Sequence, residues 1–238
     1  MIDYQNLLKK NHIVFPNILR NIRGIIFRKC GISLNPYPYR KYTNRYKCIF
    51  IHIPKTAGTS ILSILGEGTI NRDHAIYNIY RKADKQKFNK YYKFTFVRNP
   101  WDRVVSTYEY LIQGGNKFED KYFEELLKSK YDTFEKFVME YLNKDIIHEH
   151  DIFRPQYLYI YDHKGICQVD FIGKYEELNQ SFKVISEKLK IPSDLPRVNL
   201  SRRVEYSTYF KKKEIIDKIS DLYNRDIQLF DYKFHENN

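Results

Sequence analysis

The sequence has few cysteines, and their spacing indicates neither a disulfide framework nor a zinc site. The three cysteines, Cys30, Cys48 and Cys167, lie far apart in 238 residues, and no CxxC pair is present. Disulfide-rich and zinc-finger classes are therefore not indicated, and we expect a reducing compartment. Cys48 lies in an apolar run, where a thiol is expected to be a small core residue rather than a nucleophile.

The sequence also has no apolar run long enough to span a bilayer, which takes about 20 residues. Residues 13–31, IVFPNILRNIRGIIFRKCG, have apolar positions at helical spacing, but Arg20, Arg23 and Arg28 interrupt them. No signal-peptide cleavage pattern is present, so we expect a cytoplasmic protein. This segment either packs its apolar face on the domain or rests on an anionic membrane surface, and both alternatives stay open.

Two common catalytic signatures are missing as well. The nucleotide-triphosphate loop needs G-x-x-x-x-G-K-S/T, and no Gly-Lys pair with that spacing occurs. His148 and His150 flank Glu149, but H-E-x-H lacks the spacing of the zinc-binding H-E-x-x-H helix. A solvated turn is expected there, and no metal site is predicted.

The chain is rich in positive charge and in aromatic residues. It has 41 Lys and Arg against 29 Asp and Glu, for a net charge of +12. Such a balance favours anionic partners such as nucleotides, acidic glycans, nucleic acid or anionic lipid. The 22 Tyr and 16 Phe interleave with basic residues, but no RNA- or DNA-binding motif accompanies them, so no nucleic-acid partner is predicted.

Short apolar runs alternate with helical patterns along the chain. We expect strands at 48–53, 94–97 and 168–173, each followed by a helix. This alternation predicts an α/β fold of three layers, α/β/α, around a mostly parallel sheet of about four or five strands. The length suits one such domain, which we place at 46–238 after an N-terminal basic segment at 1–45. Further helices are expected at 122–129, 133–143, 175–190 and 211–230.

The stretch Cys48–Ser60, CIFIHIPKTAGTS, predicts a strand, a tight turn and a helix start. Small residues let the backbone approach a ligand, and a helix start offers unpaired N–H groups. Lys55 adds a mobile charge, so the turn indicates an anion site for phosphate or sulfate oxygens. A solvated surface lysine is the alternative. The candidate binding residues are Lys55, Thr56, Ala57, Gly58, Thr59 and Ser60.

A second strand–turn–helix unit is predicted from 93–110, KFTFVRNPWDRVVSTYEY. Arg98 follows its strand and Ser106 lies two turns into its helix. Ligands of open α/β sheets bind beyond the carboxyl ends of the strands, so both side chains are expected in the same crevice as Lys55.

A histidine lies between these two units. His74 is a candidate catalytic base, although a lone histidine is usually structural, and Asp73 is the fallback. His52 lies inside the predicted strand, so it is rejected as the base, although its side chain can face the site.

These motifs resemble the carbohydrate sulfotransferases of the Golgi type and their bacterial relatives. The family's phosphosulfate loop resembles I-P-K-T-A-G-T-S, and its 3′-phosphate motif resembles F-T-F-V-R-N-P-W-D-R-V-V-S-T-Y. Shorter similarities follow in the same order at 153–156, 169–178 and 199–201, so the resemblance covers about 47–234. Ile152 stands where the family often has a histidine.

The resemblance implies a P-loop-like sulfotransferase fold and 3′-phosphoadenosine 5′-phosphosulfate as the sulfuryl donor, with no metal. It implies His74 as the base, Lys55 and its loop on the 5′-phosphosulfate, and Arg98 and Ser106 on the 3′-phosphate. Ser201 and Arg202 are implied in a late loop over the nucleotide. Golgi members carry a membrane anchor. Because no apolar run of that length is present in this sequence, a bacterial, cytoplasmic setting is expected here.

The acceptor is expected to be a carbohydrate hydroxyl, and neither the sugar nor the oligomeric state is predicted. Two rivals stay open. A nucleotide kinase would need a magnesium-binding Asp beside a Gly-Lys-Ser/Thr loop, and the sequence has no such loop. A non-catalytic polyanion-binding module would not need Lys55, His74 and Arg98 together.

Overall fold

The computed structural model describes residues 35–67, 73–116, 120–196 and 205–234, and these contain one parallel sheet. Its strands are β1 (Cys48–Phe50), β2 (Tyr92–Val97) and β3 (Phe171–Lys174), in the order β1-β2-β3. Cys48 pairs with Tyr92, and Phe94 pairs with Phe171. All three strands therefore end at one edge, with β2 in the middle.

The expected α/β fold is confirmed, but the expected strand number is wrong for the described residues, which form three strands instead of four or five. The aromatic-rich segments after β2 form helical elements, and the elements that the described residues form beyond β3 are helical as well. Aromatic residues favour strands only where a neighbouring strand accepts them, and here they pack between helices instead.

Helices cover both faces of this sheet and fill the connections. In chain order they are α1 (Lys41–Tyr46), α2 (Gly58–Ile64), α3 (Tyr77–Ala83), α4 (Lys85–Lys90), α5 (Pro100–Ile112), α6 (Lys121–Lys130), α7 (Phe134–Lys136), α8 (Lys144–Glu149), α9 (Tyr157–Ile160), α10 (Leu178–Leu189), α11 (Lys213–Leu222) and α12 (Asn224–Leu229). A π-helical segment, Phe137–Tyr141, continues α7, and 3₁₀ turns lie at Tyr175–Glu177 and Tyr206–Tyr209.

The strands send alternate side chains to two separate cores, as period-two geometry requires. Ile49 and Ile51 join one cluster, whereas Cys48, Phe50 and Phe94 join the other. Because both faces of the sheet are buried, the strands read as continuous apolar runs. The three-layer arrangement follows from this double burial.

Several helix bounds differ from the sequence expectation. The helix expected at 211–230 is two helices, α11 and α12, that meet at Tyr223, whose ring is buried in the core. The helix expected at 133–143 is mostly π-helical. The expected strand at 48–53 forms a ladder only to Phe50, and Ile51 then donates one further bond to Phe94 O (3.0 Å).

Three expectations lie outside the described residues: the basic segment 13–31, Ser201 and Arg202. The proposed domain boundary near residue 46 stays a prediction. Among the described helices, none combines the length and apolarity that crossing a membrane requires.

Candidate functional site

The loop that follows β1 is a compact turn with two residues in the left-handed region. Lys55 has φ 69° and Ala57 has φ 64°. Both are non-glycine residues, for which this conformation is uncommon and needs support from surrounding contacts. Thr56 supplies one such contact, because its buried hydroxyl donates to Ile53 O (2.9 Å). The loop then enters α2.

Gly58, the first residue of α2, lies directly against the ring of His52. A Cβ placed on Gly58 would lie 1.8 Å from His52 Nε2, so no larger residue fits without moving the ring. The amide of Ser60 donates to Ala57 O (3.1 Å) in the first turn of α2. The small residues of the loop therefore serve close packing at the strand end, as well as access for a ligand.

Arg98 follows β2 and ties its own turn to the first loop. Its Nε donates to Asp102 Oδ2 (2.7 Å), and its Nη1 donates to Lys55 O (3.0 Å). Its guanidinium also lies over the Tyr175 ring, 4.0 Å from the centroid. Arg98 is only 5% exposed, so most of its surface is held by the protein. Arg98 thus joins the two units.

One stripe of α5 faces these cations. Asp102, Ser106 and Tyr110 are spaced four residues apart, which places them along one side of a helix. Asp102 binds Arg98, and the Tyr110 ring lies 3.9 Å below Lys55 Nζ. Ser106, partly exposed, lies between these two contacts on the same stripe.

Gln156 fixes the backbone of the Arg98 turn. Its side-chain amide accepts from Arg98 N (2.8 Å) and donates to Arg98 O (2.8 Å), as a neighbouring strand would. Its own backbone N donates to Asp226 Oδ2 (2.7 Å). Burial raises the pKa of the Asp226 carboxyl, while Arg103 and these backbone donors oppose that shift. Both Gln156 and Asp226 are fully buried.

Asn99, which follows Arg98 in the chain, forms hydrogen bonds with three further groups. Its backbone N donates to Glu176 Oε1 (2.6 Å), its Nδ2 donates to Lys233 O (3.1 Å), and its Oδ1 caps α5 by accepting from Trp101 N (3.1 Å). Tyr232 donates to the other oxygen of Glu176 (3.0 Å). Residues far apart in the chain therefore converge on this turn.

His74 lies beside the end of β1. Its Nδ1 is 3.3 Å from His52 O, and the two imidazole rings are 4.5 Å apart between centroids. Because the His52 ring also touches Gly58, this side chain connects His74 to the first loop. An Nδ1–H that donates to the carbonyl leaves Nε2 able to accept a proton.

Asp73, the fallback base, has a different partner. Its Oδ2 accepts from Arg40 Nη2 (2.9 Å), and Arg40 also lies 3.4 Å from Glu67. The carboxylate of Asp73 is therefore occupied by an ion pair.

No cluster of three or more metal-binding side chains occurs among the described residues. The His150 ring packs edge-on against Phe123 at 5.1 Å, and His148 lies in the last turn of α8. Burial raises the pKa of the Cys48 thiol to about 12, which disfavours the thiolate that a nucleophile needs.

The structure brings together the loop 55–60, Arg98, Ser106 and, through His52, His74. Sequence reasoning missed the residues that hold them, namely Asp102, Tyr110, Gln156, Tyr175, Glu176 and Asp226. A signal existed for four of these. Asp102 lies in the second long motif, and Gln156, Tyr175 and Glu176 lie in the short ordered segments that accompany the two long motifs.

The parallel α/β sheet has its first two strands ending in turns that Arg98 links through Lys55 O, and open α/β sheets bind ligands at this edge. A family model described as "Sulfotransferase family" matches residues 41–233, and the chain belongs to that family. Membership supports an enzyme that transfers sulfuryl groups.

Two curated proteins show the range of the similarity. An uncharacterized protein of Archaeoglobus fulgidus is 32% identical over 130 residues, covering 54% of this chain and 92% of that protein. Carbohydrate sulfotransferase 14 of Mus musculus is 22% identical over 182 residues, covering 63% of this chain and 46% of the mouse protein. The match therefore spans less than half of the mouse enzyme. No solved structure matches this chain.

Proposed function

We propose that this protein transfers the sulfuryl group of 3′-phosphoadenosine 5′-phosphosulfate to a hydroxyl of a carbohydrate. One observation carries the proposal: Arg98 Nη1 donates to Lys55 O at 3.0 Å. The two cations assigned to the two ends of one nucleotide are thereby joined at the same edge of the sheet. A nucleotide with phosphate groups on both sides of its ribose fits such a pair.

The first loop suits the 5′-phosphosulfate. Lys55 supplies an ammonium group, and the amides of Gly58, Thr59 and Ser60 surround the start of α2. Because the Ser60 amide donates to Ala57 O, a ligand oxygen that takes this amide has to share or replace that bond. Thr56 and Ala57 set the shape of the turn. Lys55 would stabilise charge that grows on the leaving phosphate oxygen.

The second unit suits the 3′-phosphate. The bonds of Arg98 to Asp102 and Lys55 use Nε and Nη1, and Nη2 is the nitrogen that we assign to the 3′-phosphate. Ser106 adds a hydroxyl on the adjacent stripe of α5. Ser201 and Arg202, which lie outside the described residues, stay candidates for the same phosphate or the adenosine.

His74 is assigned as the general base. Its Nε2 takes the proton of the acceptor hydroxyl as the acceptor oxygen forms a bond to sulfur. The bond between sulfur and the 5′-phosphate oxygen breaks in line, and its electron pair stays with the phosphate that Lys55 holds. The ion pair of Asp73 with Arg40 supports His74 over Asp73 for this role.

The acceptor class is proposed from similarity rather than from a site. The mouse relative is named a carbohydrate sulfotransferase, and a sugar hydroxyl is an acceptor of the kind that His74 would deprotonate. Incubation with the donor and a panel of glycan classes, read by mass spectrometry as a gain of sulfate, tests this part. Sulfation of non-carbohydrate hydroxyls alone would contradict it.

Nucleotide choice tests the donor assignment. We expect calorimetry to show much tighter binding of 3′-phosphoadenosine 5′-phosphate than of AMP or ATP, because charge-assisted bonds to the 3′-phosphate are about twice as strong as neutral ones. Ser106→Ala should reduce this preference and Arg98→Ala should abolish it. Since Arg98 also supports the turn, Ser106→Ala is the cleaner variant. Equal affinity of the wild type for AMP would overturn the assignment.

A further inference from the structure

Lys55 has a strained backbone conformation, and two side chains of the second unit contact it at opposite ends. Its φ of 69° lies in the left-handed region, which a lysine adopts at a cost unless its surroundings fix it. Arg98 Nη1 holds the carbonyl oxygen at 3.0 Å. At the other end of the same residue, Nζ lies 3.9 Å from the centroid of the Tyr110 ring.

The ring is a suitable platform for a cation that has to bind a ligand. A carboxylate partner would neutralise the ammonium, whereas an aromatic face attracts it through the ring quadrupole and leaves its formal charge intact. The ammonium has three N–H donors, and a ring beneath it occupies one side.

Tyr110 lies on the side of α5 that faces both Lys55 and Arg98. Tyr110 belongs to the stripe that also contains Asp102 and Ser106. Asp102 orients Arg98 (2.7 Å) and Tyr110 orients Lys55, so one rigid helix sets both cations at fixed spacing. α5 has 13 residues and a capped start with proline at its first turn, which makes it a stiff support.

We propose that Tyr110 is a positioning residue of the sulfuryl-transfer site, whose ring face holds the Lys55 ammonium where the donor's phosphosulfate group binds. This inference rests on the proposed function. It adds a role that belongs to the aromatic face and not to the tyrosine hydroxyl.

A pair of variants separates the ring face from the rest of the side chain. Tyr110→Leu keeps apolar bulk but removes the ring, whereas Tyr110→Phe keeps the ring and removes the hydroxyl. We expect Tyr110→Leu to weaken binding of 3′-phosphoadenosine 5′-phosphate by about 2- to 30-fold, the range of cation–π contacts, with a much smaller loss in Tyr110→Phe. Tyr122→Leu, an exposed tyrosine on α6, controls for loss of a surface ring.

A double-mutant cycle with Lys55→Met tests whether the effect passes through Lys55. In that background Tyr110→Leu should cause no further loss of nucleotide affinity. The same cycle is read in the denaturation midpoint of the protein without nucleotide, where Tyr110→Leu should be less destabilising once Lys55 is absent. This second measurement does not depend on the enzyme's activity.

The outcomes distinguish this inference from the proposed function. If the wild type binds the nucleotide but Tyr110→Leu and Tyr110→Phe lose equally, or the loss persists in Lys55→Met, then Tyr110 is not positioning Lys55 and the proposed function stands. If the wild type shows no preference for the 3′-phosphorylated nucleotide, both proposals are overturned. Coupling in both measurements supports the inference.

Discussion

The two strand–turn–helix units share one topology but differ in how they are held. The turn after β1 has two left-handed residues, enters a helix of 7 residues and has no side-chain cap. The turn after β2 enters a helix of 13 residues capped by Asn99. Gln156 and Glu176, from segments far along the chain, bind the backbone of this second turn.

This difference suggests that the first unit supplies the reacting groups and that the second supplies structural support. The first unit, with His74 beside it, carries groups that would act on the donor and the acceptor. The second unit, residues 93–110, supports the first, and we call it the frame. Its Arg98 donates to Lys55 O, and its Tyr110 ring contacts Lys55 Nζ. Variants of the first unit should therefore cost activity with little stability, and variants of the second should cost both.

The largest effect is expected at His74. His74→Ala should lower turnover by about 10²- to 10⁴-fold, the usual contribution of general-base catalysis, with donor affinity little changed. The acid limb of the pH–rate profile should also change, because a protonated imidazole cannot accept the hydroxyl proton. Steady-state kinetics across pH, together with donor binding by calorimetry, measure both quantities.

Lys55→Ala is the matched variant within the same unit. It should damage turnover and donor binding together, because the phosphosulfate is already charged in the ground state. Near-normal turnover in His74→Ala, or an unchanged acid limb, would move the base elsewhere. Asp73→Asn would then be tested first, although that carboxylate already forms an ion pair with Arg40.

The sequence predicts the strand and helix of both units, but not the contacts that hold the second turn. Lys55, Gly58 and the strand before them follow from a continuous local pattern, because a buried parallel strand and a small-residue turn leave a direct trace. The hydrogen bonds that hold the Arg98 turn produce no such local pattern, since Gln156 and Glu176 lie 58 and 77 residues away from their partners. Long-range hydrogen bonds depend on the folded arrangement and not on spacing.

The role of His52 shows the same limit. Its place in an apolar run, predicted as strand, led us to reject it as the base, and the structure ends β1 at Phe50 but keeps His52 buried. Yet its ring fills the space above Gly58 and touches His74 at 4.5 Å between centroids. The pattern places the residue on the strand, but only the packed structure assigns its neighbours, because residues on different segments meet there.

A smaller effect, on stability, is expected from Gln156→Ala. The variant would leave Arg98 N and Arg98 O buried without their partner, and each orphaned group costs about 1–3 kcal/mol in free energy of unfolding. Donor affinity should fall with it, because the Arg98 turn loses its support. Denaturant unfolding and calorimetry measure the two losses.

Gln113→Ala provides the control for this loss. Gln113 is exposed, and its side-chain amide donates to Glu109 Oε2 (3.0 Å), so its removal should change neither quantity appreciably. If Gln156→Ala is as mild as Gln113→Ala, then the second unit is not the frame, and the contrast between the two units fails.

The smallest effect is expected at Asn99, and it tests whether the frame matters for binding beyond its stability. Asn99→Ala removes the cap on Trp101 N and the bond to Lys233 O, at a cost of about 1 kcal/mol for a lost cap.

Asn143→Ala is the matched control, because Asn143 caps α8 through Asp145 N (2.9 Å) and Ile146 N (3.0 Å). Both variants should lose similar stability by denaturant unfolding, but only Asn99→Ala should weaken binding of 3′-phosphoadenosine 5′-phosphate, and Asn99→Ser, which restores a capping oxygen, should recover part of that affinity. An equal loss of affinity in Asn143→Ala would mean that binding follows general stability, and the second turn would then have no particular part in holding Arg98 and Lys55 for the donor.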